Sequence, residues 1–79
     1  MKHLYGEMKI EAMGIEINHT YFLADSNNHA EIYTNTGTIF NGYLLEAFEI
    51  WKQEKKRLQE IVNKNKNIEA KLIVIKSPA

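Results

Sequence analysis

The chain has 79 residues, ten Lys and Arg against ten Asp and Glu, 44% apolar side chains and no cysteine. That length suits one domain with a thin core, and the balance is that of a globular protein rather than a fibrous or disordered one. Without cysteine neither a disulfide framework nor thiolate metal ligation is possible, and a formal charge of zero excludes a general attraction to polyanions.

The zero hides a division. Residues 1–50 carry two basic side chains against seven acidic ones, and residues 51–79 carry eight basic against three acidic. Such a polarity can steer a charged partner or bring two copies together head to tail. The N-terminal "MKHLYGEMKIEAMGIEI" has no unbroken apolar core of the kind a signal peptide requires, and no run approaches the length of a membrane span, so a cytoplasmic location is expected.

Met8, Ile10 and Ala12 alternate with Glu7, Lys9 and Glu11, the period of a half-buried strand that starts near His3. Gly14 supplies a tight connection with positive φ. Ile15, Ile17, Tyr21 and Leu23 then predict a second apolar series, interrupted by "NHT". "ADSNNHA" reads as a turn, since Asp, Ser and Asn side chains bond locally to backbone. Ala30–Thr34 is a short strand, "NTG" a second turn, and Thr38, Ile39 and Phe40 a short edge strand.

Asn41 is the expected N-cap of a helix running from Gly42 or Tyr43 to about Asn63. Leu44, Ala47, Phe48, Trp51, Leu58, Ile61 and Val62 recur at three- and four-residue spacing and form its buried stripe, broken in the middle by Glu54 and Lys55. Tyr43, Leu45 and Ile50 lie off the stripe, which makes the first half of the helix apolar on more than one face. Lysines toward its C-terminal end suit the helix dipole, and Glu49 with Lys52 and Glu60 with Lys64 have pairing distance along the helix. "NKNKN" ends it. "IEAKLIVIK" at 68–76 becomes apolar on both faces, which predicts a strand in the middle of the sheet, followed by a short disordered tail at 77–79.

The fold class expected is therefore α+β over residues 1–79: a two-layer sandwich in which an antiparallel meander of three to four strands is followed by one long helix and a C-terminal strand inserted in the sheet. Chemistry finds little support. His19 and His29 are expected to face each other across a hairpin near Asp25 or Glu31, but no metal-ligand spacing accompanies them. Glu7, Glu11 and Glu16 fall on a solvated strand face, and no Ser has a His and Asp to activate it. No catalytic residue, cofactor or metal is expected, and the chain reads as a non-enzyme.

Two binding readings follow. The first is a small protein-binding module, a regulator or inhibitor of a partner protein and a homodimer, with Tyr33, Tyr43, Ile50, Lys64 and Lys66 as interface residues. The aromatic residues suit an interface anchor, and the two lysines of "KNKN" serve neither helix nor core. The second is RNA or DNA binding, with Lys52, Lys55, Lys56 and Arg57 on phosphates and Tyr5, Tyr21, Phe22 and Tyr33 stacking bases from an open sheet face. The acidic strands and the glutamates within the helix argue against this second reading. No membrane partner is expected.

Overall fold

A computed structural model describes residues 1–78. Among them five strands, one long helix and a short 3₁₀ turn follow in the order β1 (His3–Ala12), β2 (Ile15–Ala24), β3 (His29–Thr34), β4 (Gly37–Tyr43), α1 (Leu44–Lys64), the 3₁₀ turn (Lys66–Ile68) and β5 (Lys71–Lys76). The strands form one antiparallel sheet in the spatial order β4-β3-β2-β1-β5, with α1 across one face. This is the expected α+β sandwich, with the meander complete and the last strand in the sheet.

Turn chemistry sets the meander. Met13 and Gly14 both have positive φ, 54° and 79°, the mirror-image geometry that matches the twist of a two-residue hairpin. At the next turn Asp25 Oδ1 accepts from the backbone N–H of Asn27 at 2.9 Å and of His29 at 3.1 Å, while Asn28 takes the left-handed conformation. These two N–H groups hold the Asp25 carboxyl below its ordinary value. At the third, Thr34 Oγ1 accepts from the backbone N–H of Thr36 at 3.1 Å.

Met8, Ile10, Phe22 and Ile32 from the sheet meet Ala47, Trp51, Leu58 and Val62 from the helix in a single core. Phe22 is its centre. Its ring lies 5.5 Å from Phe48, 5.8 Å from Trp51 and 5.6 Å from Tyr5. The stripe predicted for α1 is the one that packs. Glu54 belongs to it as well: its side chain is buried, and Arg57, one turn on, donates Nε and Nη2 to its two oxygens, both at 2.7 Å. That pairing raises the Arg57 pKa.

Several expectations need correction. β5 lies at the sheet edge beside β1, not in the middle. Its regular part pairs Leu72 with Ile10 and Val74 with Met8 on the helix side and Ile73 with Lys9 on the other, and Ile75 is an extra, bulged residue. The apolar run thus reflects half-cover on each face plus a bulge. Asn41 is not the N-cap: it stays in the ladder opposite Glu31, and the helix begins after Tyr43 with no side-chain cap. At the other end Asn65 does terminate α1, donating Nδ2 to the Ile61 carbonyl at 2.7 Å. Pro78 lies against Gly6 beside Trp51. Of the short tail expected at 77–79, Ser77 and Pro78 have no regular secondary structure, and Ala79 lies outside the described residues.

The largest correction concerns β2. Its buried residues are Thr20, Phe22 and Ala24, whereas Ile15, Ile17 and Tyr21 of the expected apolar series are exposed. For Tyr21 the reason is Ile17: the register passes from Glu11 opposite Glu16 to Ile10 opposite Asn18, leaving Ile17 without a partner on β1 and reversing the parity beyond it, whereas Ile15, opposite Ala12, lies where β3 no longer flanks the strand.

Candidate functional site

The helix covers one face of the sheet, and the opposite face carries the alternate residues: Glu7 and Lys9 of β1, His19, Tyr21 and Leu23 of β2, Glu31 and Tyr33 of β3, Asn41 of β4. Tyr21 stands opposite Glu7 on one side and Tyr33 on the other. His19 stacks on Tyr21 with ring centroids 4.4 Å apart. Its Nε2 lies 2.6 Å from Glu7 Oε2, and its Nδ1 contacts the Glu16 carboxylate. Because the two carboxylates sit at opposite ring nitrogens, the three groups do not converge on a single point. Among the described residues no group of three or more His, Asp or Glu is arranged to hold a metal ion.

Lys9 and Glu11 pair at 2.9 Å along β1, which raises the lysine pKa and lowers that of the carboxyl. Lys2 reaches Glu31 at 2.5 Å, and the second Glu31 oxygen is buried without a hydrogen-bond partner. His29, at the other end of the sheet from His19, lies with Nε2 2.6 Å from Asn41 Oδ1. The two histidines therefore do not face each other, because β3 runs back alongside the lower half of β2, pairing Ala30 with Ala24.

The predicted interface residues do not form one patch. Tyr33 is half-buried on the open face, and Tyr43 is 68% exposed at the start of the helix beside Leu45, 81% exposed. Ile50 packs partly against the core, so the core claims more of it than its spacing indicated. Lys64 occupies the last turn of α1 and Lys66 opens the 3₁₀ turn, both exposed. Both thus belong to helical elements, contrary to the expectation that neither serves one. Of the basic residues proposed for phosphates, Lys52, Lys55 and Lys56 are exposed, Lys52 lies 3.6 Å from Glu49, and Arg57 is committed to Glu54. Among the described residues Glu60 and Lys64 form no ion pair. Tyr5 and Phe22 lie in the aromatic core, so only Tyr21 and Tyr33 of the proposed base-stacking set remain on the open face.

What spacing missed is the tip of the first hairpin. Met13, Ile15 and Ile17 are 71%, 66% and 46% exposed. β3 pairs with β2 only from Thr20 to Ala24, so residues 15–19 of β2 have a strand neighbour on one side alone. The signal was present in the sequence as apolar residues beside "NHT", but grouping Ile15 and Ile17 with Tyr21 and Leu23 in one alternating series assigned the two isoleucines to the buried face. No helix of the described chain is long and apolar enough to cross a membrane. Comparison with family models, with curated proteins and with solved structures finds no match to the chain.

Proposed function

We propose that the chain is a small protein-binding module that acts on a partner protein as a regulator or inhibitor and associates with a second copy of itself. The observation that carries this reading is the apolar surface left uncovered by the single helix: Met13, Ile15 and Ile17 at one end of the sheet, Tyr43 and Leu45 at the other. Isolated exposed apolar residues are ordinary, but three within five positions of one hairpin concentrate apolar area at its tip, which suits a partner.

The charge pattern favours protein over nucleic acid as that partner. The open face bears Glu7, Glu11, Glu16 and Glu31, which repel a phosphate backbone, while the lysines of α1 are interleaved with Glu49, Glu54 and Glu60. The test is a pair of titrations with purified protein: labelled RNA and duplex DNA at low and physiological salt, and the protein partner recovered from the native host, re-purified and titrated by calorimetry. Saturable, stoichiometric binding of that partner supports the proposal. Tight nucleic-acid binding that weakens steeply with salt, without such a partner, overturns it.

A further inference from the structure

We propose that the free edge of β2 from Ile15 to His19 receives an extended segment of the partner protein, one that alternates apolar and basic side chains, as an added strand of the sheet. This rests on the protein-binding reading and specifies its site.

Three features of the hairpin carry it. β1 covers one side of this segment, and on the other β3 ends its pairing at Thr20, so the backbone along residues 15–19 faces a gap where a strand belongs. Free strand edges are pairing templates, and main-chain bonding to an incoming strand is a general mode of peptide recognition. The gap also has apolar contacts to offer, since the Ile17 bulge turns an isoleucine outward beside Ile15 and Met13. Below it, a hollow of about 160 Å³ is lined by Glu16, Ile17, Asn18, His19 and Asn35, the last from the turn that terminates β3.

Charge chooses the occupant. Glu7, Glu11 and Glu16 stand on this hairpin against one lysine, Lys9, which is engaged by Glu11, and one histidine, His19, which lies between Glu7 and Glu16. A second copy presenting the same edge would set carboxylates against carboxylates, which disfavours self-pairing here. A strand with Lys or Arg at alternate positions meets these carboxylates while its apolar residues meet Ile15 and Ile17. The other edges of the sheet do not offer this combination: β4 has no charged side chain, and β5 is bounded by Lys71 and Lys76.

The experiment is an NMR titration of the isotope-labelled full chain with a synthetic ten-residue peptide of alternating Lys and Val, and with a control of alternating Glu and Val. The expected result is saturable shifts of the backbone amides of residues 15–19, with the acidic peptide at least about tenfold weaker. Glu16→Lys and Ile15→Ser, both at exposed positions, are each expected to weaken the basic peptide by at least about fivefold while the rest of the spectrum stays folded. Equal response to both peptides, shifts confined to β4 or β5, or no response up to about 1 mM overturns the proposal. A native partner that binds both variants with unchanged affinity overturns this site while leaving protein binding intact. If neither the native host yields a partner nor the peptide binds, both readings fall.

Discussion

Gly14 shows how much a single backbone angle contributes. Its φ of 79° lies where an L side chain is strained, and a methyl group there would meet nothing within 4 Å, so Gly14→Ala isolates conformational cost from packing. The expected loss is about 1 kcal/mol, read as a drop of roughly 4–8 °C in the melting temperature of a domain this small. Asp25 gives a second test. Because the N–H groups of Asn27 and His29 hold its carboxyl below the ordinary value, the stability it contributes is present above the unfolded carboxyl pKa and disappears as pH falls through the lower folded one. Asp25→Ala is therefore expected to lower the melting temperature at pH 7, with the gap to the parent closing as the pH drops well below about 4. Both residues were legible from sequence, since Gly and Asp in turns act through local geometry that needs no knowledge of the rest of the fold.

Elements were legible to the extent that their periodicity was unbroken. The stripe of α1 from Leu44 to Val62 packs as its spacing indicates, and β1 buries Met8, Ile10 and Ala12 as alternation requires. β2 failed because one bulged residue reverses which parity faces the core, and nothing local marks Ile17 as unpaired. β5 was placed wrongly because an apolar run shows that side chains are covered, not that a strand lies on each side. Glu54 was read as a break in the helix stripe, yet it is a member of it whose carboxylate is answered by the exposed guanidinium of Arg57. Removing one partner of such a pair costs more than removing both, because the carboxylate stays buried. Arg57→Ala is expected to lose about 1–2 kcal/mol in denaturant melts, whereas Glu54→Leu combined with Arg57→Ala recovers most of that loss.

At the scale of the molecule, the polarity seen in the sequence is largely folded back on itself. The strands of the meander carry Glu7, Glu11, Glu16 and Glu31, α1 carries Glu46, Glu49, Glu54 and Glu60 among its cations, and β5 sets Lys71 opposite Glu11; the body measures 43 × 23 × 19 Å with the first hairpin projecting past β3. Acidic and basic side chains exposed on the same body allow ion pairs between copies, so the proposed self-association is expected to weaken with added salt. Light scattering over a concentration series checks it: a mass rising above 9.2 kDa at low salt and falling back at high salt is the expected outcome, and a constant monomer mass at low salt contradicts it. The same hairpin has a consequence for how the chain tolerates changes in length. Tyr5 is the residue in excess on β1 and Ile17 the one in excess on β2, so the two offsets cancel, and His3 opposite Ala24 keeps the phase set by Ala12 opposite Ile15. In the terms of a reading frame these are two compensating insertions. Deleting Ile17 removes a letter that has no counterpart on β1, leaves Thr20 and Phe22 facing Met8 and Gly6, and is expected to preserve a cooperative melt. Deleting Phe22, which is paired with Gly6 on one side and Ile32 on the other, throws the following residues out of phase and is expected to abolish folding.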